Sequence, residues 1–88
     1  AYAEQQDINQ QWIFDGDIVE FKPSDKSQDS ITAAIVYDFS TIEFVAVDCK
    51  YFEPLKREQW HRYQLKVISY LFINEDLTEE LTDRGWLQ

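Results

Sequence analysis

Residues 12–21 read Trp-Ile-Phe-Asp-Gly-Asp-Ile-Val-Glu-Phe, two apolar clusters divided by the acidic turn Asp15-Gly16-Asp17. Asp-Gly adopts the left-handed backbone of a tight turn more readily than almost any other dipeptide. Beyond it, Ile18 and Glu20 alternate with Val19 and Phe21, the two-residue period of a strand. A turn followed by an alternating strand directs a short chain toward a small sheet.

The remaining patterns extend that reading. Residues 1–11 are polar and Gln-rich, and are expected to form an N-terminal arm that frays; residues 12–88 are expected to form the single domain. Pro23–Ser30 is polar and opened by a proline, the signature of an exposed loop. Ile31–Tyr37 and Ile42–Val47 predict a hairpin with one fully apolar face and one partly apolar face. Lys50–Phe52 is expected to continue the sheet, and Pro54 fits the first position of a helical turn over 55–63, with Trp60 and Tyr63 turned inward. Lys66–Ile73, the most hydrophobic run, reads as a strand buried on both sides. Asn74 is suited to cap a helix from about Glu75 to Arg84, with Gly85 as its stop. The expected fold class is mainly β (α+β): a small, bent, SH3-like β-barrel with one or two short helices. At 44% hydrophobic and 16% aromatic residues, the chain has enough apolar side chains for a packed core. At 88 residues it buries a limited share of its surface, so a partner or a second copy is expected.

Charge is distributed unevenly. Residues 1–49 carry ten acidic and two basic side chains; residues 50–66 carry five basic and two acidic; residues 67–88 carry five acidic and one basic. The acid–base–acid order suits self-association or a basic protein partner. The net charge of −9 disfavours direct binding to nucleic acid, because phosphates would meet a mostly negative surface.

Catalytic chemistry is sparsely represented. The chain has one histidine, one cysteine and two glycines. Glu58 and His61 have the spacing of a carboxylate–imidazole metal pair, but such centres need further ligands. Asp15 and Asp17 lack the alternating oxygens that a calcium loop spreads over about twelve residues. Cys49 has no base at suggestive spacing, and a single cysteine allows no intrachain disulfide. There is no phosphate-cradling glycine loop and no nucleophile elbow. The expectation is a protein that is not an enzyme, with no cofactor and no metal.

Two groups of residues stand out as binding candidates. Glu75, Asp76, Glu79, Glu80 and Asp83 form the densest negative cluster, with Asp15 and Asp17 as further carboxylates; spaced in this way they imitate phosphates toward a basic groove. The alternative face is basic and aromatic: Lys56, Arg57, Trp60 and Arg62, a combination that stacks on and pairs with single-stranded nucleic acid. No run approaches the roughly 18 apolar residues of a membrane span. The opening Ala-Tyr-Ala-Glu-Gln-Gln-Asp has neither the basic end nor the apolar run of a signal peptide.

Three segments together resemble a known family. Ile13–Phe21, with its Gly-Asp-Ile-Val core, is similar to a segment of YopX-type proteins of phages and prophages. Ala34–Phe39 followed by Ile42-Glu43-Phe44 sits where that family has its next strands, and Val67–Leu77 is similar to its closing strand and helix start. The resemblance implies an SH3-like bent barrel and a phage origin, and hence the cytoplasm of an infected or lysogenic bacterial host; it implies no reaction and no site residues. With the charge pattern, it leads to the expectation of a phage accessory protein that binds a basic host protein. The expected partner is a defence or nucleic-acid-handling enzyme, inhibited as anti-CRISPR or anti-restriction proteins inhibit theirs. The alternatives are a self-assembling structural phage protein and a nucleic-acid-binding regulator.

Overall fold

A computed structural model of the chain describes residues 2–24, 26 and 28–87; the expectations for Ala1 in the arm and for Asp25 and Ser27 in the 23–30 loop lie outside the described residues. Seven strands follow in order: β1 (Tyr2–Gln6), β2 (Trp12–Phe14), β3 (Asp17–Phe21), β4 (Ile31–Asp38), β5 (Glu43–Asp48), β6 (Pro54–Lys56) and β7 (Lys66–Tyr70). A 3-10 helix spans Arg57–Arg62, a 3-10 turn spans Leu71–Ile73, and helix α1 spans Glu75–Asp83. Strands β6-β5-β4-β3-β7 form one antiparallel sheet in that order, and β1 pairs with β2 in a separate two-stranded sheet.

The long strand β4 shows why the sheet is covered on both faces. Ala33 and Ile35 belong to one buried cluster; Ala34 and Val36, half a pleat away, belong to another. The first cluster also holds Ala3 and Ile13 from the β1–β2 hairpin, Trp60 from the 3-10 helix, and Val19, Phe21 and Ala46 from the sheet. The second holds Ile18, Val45 and Val47 with Leu81 of α1, and Leu77, Trp86 and Leu87 pack against it. The molecule therefore has three layers: hairpin and 3-10 helix, five-stranded sheet, and α1. Two buried faces account for the near-continuous apolar runs of β4 and β5. Ile13 and Ile35 are fully buried, each stabilising the fold by about 2 kcal/mol relative to exposure.

The Asp15-Gly16 turn joins two layers. Its flanking strands do not pair with each other: β2 pairs with β1, and β3 with β4 and β7. Gly16 has φ +91°, its N–H donates to the Ile35 carbonyl at 2.7 Å, and its own carbonyl accepts the Leu71 N–H at 2.7 Å. The turn thus anchors the crossing between layers on β4 and on the residue after β7.

The mainly β class with short helical elements is the observed one, but closure differs. The sheet is open, with β6 and β7 at its edges, in place of the expected barrel. Residues 2–6, expected in a fraying arm, form β1 instead, and Ala3 is buried. Lys50 and Tyr51 lie in a turn, and Pro54 opens β6 rather than a helix; an edge strand tolerates its missing N–H. The helical turn expected over 55–63 is the 3-10 helix 57–62, and Trp60 points inward as expected. Tyr63, half-buried, packs its ring 4.9 Å from that of Phe21. The largest departure is 66–73: rather than a doubly buried strand it is an edge strand and a 3-10 turn, with Ile68, Tyr70, Phe72 and Ile73 exposed.

Candidate functional site

Helix α1 owes its position to the residues before it. Asn74 stands at the cap position, but its side chain makes no capping bond. Its Nδ2 instead donates to Ser69 Oγ at 3.0 Å and to the Tyr70 carbonyl at 2.7 Å, tying the helix start to the end of β7. Thr78 Oγ1 donates to the carbonyls of Leu71, at 2.8 Å, and Asn74, at 3.0 Å. Leu77 and Leu81, one turn apart, face the sheet.

At 3.6 residues per turn, Glu75, Asp76, Glu79, Glu80 and Asp83 occupy an arc of roughly 140° on the side away from those leucines. Glu75, Asp76, Glu79 and Asp83 are exposed, and Glu80 is half-buried. Arg84 Nε donates to Glu80 Oε1 at 2.7 Å, and the guanidinium lies 4.0 Å over the Phe52 ring. Both side chains of the ion pair are about half exposed, and it stabilises by no more than about 0.5 kcal/mol. Carboxylates at the first turn are favoured by the helix dipole, so Glu75 and Asp76 serve the fold as well as the surface.

The other carboxylates named from sequence are placed differently. Asp15 is exposed, on the β2–β3 connection. Asp17 is buried and accepts the Phe14 N–H at 2.8 Å, so it is a structural group and not part of a surface for a partner. Burial pushes the Asp17 carboxyl up; the Phe14 amide opposes this, and the charges of Asp15 and Asp7 add to it.

The basic face is likewise divided. Lys56, Arg57 and Arg62 are exposed. Trp60 is fully buried, with Nε1–H donating to the Leu55 carbonyl at 3.0 Å, and offers no stacking surface to a base. His61 and Glu58 border a shallow depression with Arg57, Gln5 and Glu43. Among the described residues no three His, Cys, Asp or Glu side chains gather as metal ligands. Cys49 is half-buried, and burial followed by the charge of Asp48 pushes its thiol up to about 11. A thiol so placed is a poor nucleophile.

Sequence reasoning missed the exposed apolar margin. Phe72 and Ile73 are 80% and 62% exposed, immediately before the acidic helix, and Phe72 stacks on Tyr70 with ring centroids 5.5 Å apart. An open groove joins Phe72 and Ile73 to Asn74, Glu75, Asp76 and Leu77. Trp12 and Phe14 are also partly exposed, and Phe14 is hydrogen-bonded to Asp17, the residue opposite Tyr70. The apolar run from Val67 to Ile73, broken only by Ser69, was a signal of some hydrophobic contact, but periodicity does not distinguish an internal contact from an external one.

No helix among the described residues is long and apolar enough to cross a membrane. No family model matches the chain, and neither a curated protein nor a solved structure shows significant similarity to it.

Proposed function

We propose that this protein acts by binding rather than by catalysis, presenting the acidic face of α1 to a basic surface of a partner protein. The observation that carries this reading is the arrangement of α1: five carboxylates on one arc, opposite the buried Leu77 and Leu81, with four of them exposed. Such a face attracts a cationic groove at long range and repels nucleic acid. The resemblance of Ile13–Phe21 and Val67–Leu77 to phage proteins supports a fuller form of the proposal. In that form the protein is a phage accessory factor in the bacterial cytoplasm that inhibits a host defence or nucleic-acid-handling enzyme by occupying its nucleic-acid-binding surface.

The test is capture from nuclease-treated bacterial lysate on the immobilised protein, washed at rising salt, beside the variant D76N/E79Q/E80Q/D83N. The expected result is a stoichiometric basic protein that the parent retains at low salt, that high salt or added oligonucleotide releases, and that the variant fails to retain. Equal retention by parent and variant overturns the assignment of α1. For the fuller form, the captured enzyme should lose activity on nucleic acid when the protein is added, and unchanged activity rejects inhibition.

A further inference from the structure

The tip of the β4–β5 hairpin meets the chain just after α1. There Gly85 N–H donates to the Thr82 carbonyl at 3.0 Å and Trp86 N–H to the Leu81 carbonyl at 2.9 Å, and Trp86 packs against the second buried cluster. Between this turn and the hairpin lies a depression of about 200 Å³, lined by Tyr37, Asp38, Phe39, Ser40, Gly85 and Trp86. Two distant parts of the chain thus bring three aromatic side chains and one carboxylate to the same hollow.

The lining groups are fixed. The Tyr37 and Phe39 rings lie 5.0 Å apart between centroids and are inclined at 68°, and Phe44 meets Tyr37 at 5.1 Å and 82°. Asp38 Oδ1 accepts the Ser40 N–H at 3.0 Å and the Ser40 hydroxyl at 2.7 Å. The same tip carries backbone strain: Ile42, a β-branched residue, has φ +57°, a conformation that its surroundings must hold.

This lining favours a cation. Aromatic faces are negative, and Asp38 adds a full charge. No lysine, arginine or histidine lines the hollow. Arg84, the nearest cation in chain order, is engaged by Glu80 and by the Phe52 ring. The lining also favours one kind of cation. An unmodified lysine ammonium has three N–H donors to satisfy, whereas the rings are poor acceptors and Asp38 Oδ1 already takes two bonds from Ser40. Methylation removes those donors and keeps the charge. The volume of about 200 Å³ lies below the roughly 300–1,000 Å³ of pockets for drug-sized ligands, and suits a compact head group. We propose that this hollow binds a methylated ammonium group, free or at the end of a lysine side chain, against Tyr37, Phe39 and Trp86, with Asp38 as its counter-ion. The proposal does not rest on what the acidic face of α1 binds.

Titration of the isotopically labelled full chain with choline, followed through amide and indole resonances, tests the proposal. Choline should shift Ser40, Gly85 and the Trp86 indole and saturate with a dissociation constant on the order of millimolar. Its neutral carbon isostere, dimethylbutanol, should bind at least about tenfold more weakly. Phe39 is 66% exposed, so Phe39→Ala should leave distant resonances unmoved while weakening choline at least about tenfold. Asp38→Asn keeps an acceptor for Ser40 and should weaken choline at least about threefold. Trimethyl-lysine in a short peptide then identifies the source: tighter binding than choline assigns the hollow to a lysine side chain, and weaker binding assigns it to a free ion. Absence of a saturable shift, equal affinity for choline and dimethylbutanol, or choline binding unchanged by Phe39→Ala overturns the proposal. An unmethylated lysine peptide bound as tightly as the trimethylated one rejects the preference for methylation.

Discussion

Asp7 and Val67, sixty positions apart in the chain, are joined by a hydrogen bond from the Val67 N–H to Asp7 Oδ2 at 2.9 Å. The other carboxylate oxygen accepts the N–H groups of Asn9 and Gln11, each at 2.9 Å. One buried side chain therefore shapes the turn between β1 and β2 and fastens that hairpin to the edge of the main sheet.

Removing it should be costly. Asp7→Ala leaves three backbone donors without their acceptor, and the expected loss is about 3 kcal/mol of unfolding free energy. Urea denaturation of parent and variant measures this. A loss below about 0.5 kcal/mol would mean that water replaces the carboxylate and that the hairpin is held by apolar packing alone.

The two buried carboxylates should respond to acid in opposite senses. Burial pushes the Asp7 carboxyl up, but the Val67, Gln11 and Asn9 amides and the Lys66 charge outweigh it, leaving the group below its ordinary value of 3.8. Below 3.8 the unfolded chain takes up the Asp7 proton first, so this contribution to stability is lost as pH falls through the folded value. Asp17 is shifted above 3.8, so the folded chain takes up its proton first, and its contribution grows as pH falls through the folded value toward 3.8. Unfolding free energy measured across the acid range should show Asp17→Asn flattening the change above 3.8 and Asp7→Asn flattening the change below it. At neutral pH, Asp17→Asn should be at least as stable as the parent, since it removes a buried charge and keeps an acceptor for Phe14.

Trp60 is the largest fully buried side chain and lies between the 3-10 helix and the sheet. Trp60→Ala should cost about 3–5 kcal/mol through the cavity it opens. Trp60→Phe fills more of the space but leaves the Leu55 carbonyl without its indole donor, and should cost less than the alanine variant. Chemical denaturation orders the two, and a phenylalanine variant as unstable as alanine would point to ring shape and not volume as the determinant.

Cys49 should be slow to react. With its thiol raised to about 11, the thiolate is scarce at neutral pH. A chromogenic disulfide at about pH 8 should modify the folded protein on the order of a hundredfold more slowly than free cysteine. Addition of denaturant should abolish the difference; fast modification of the folded chain would show that the site opens readily.

Much of the local structure was legible in the sequence because its causes are local. The β4–β5 hairpin follows from alternation, and α1 from the early carboxylates, the Leu77/Leu81 spacing and Gly85 at φ +86°, whereas the capping bond expected of Asn74 is not made. The acidic arc of α1 was legible for the same reason: helical periodicity alone puts its five carboxylates on one side. The apolar margin and the burial of Asp17 were not legible. Both depend on which strands become neighbours, and a run such as Val67–Ile73 has the same residues whether one more strand covers it or none does.

By itself, then, the sequence determined β3, the β4–β5 hairpin and the closing helix, the inward turn of Trp60, and the acid–base–acid order of charge, since each follows from side-chain period, turn chemistry or composition. Only the tertiary structure decided that Asp15-Gly16 joins two layers instead of closing a hairpin, that the sheet stays open at β6 and β7, and that the most hydrophobic run lies at its edge. Those outcomes come from contacts between residues far apart in the chain, such as Gly16 with Ile35 and Leu71, and Asp7 with Val67. The free energy of such contacts depends on the whole packed arrangement, and no local window of residues contains it.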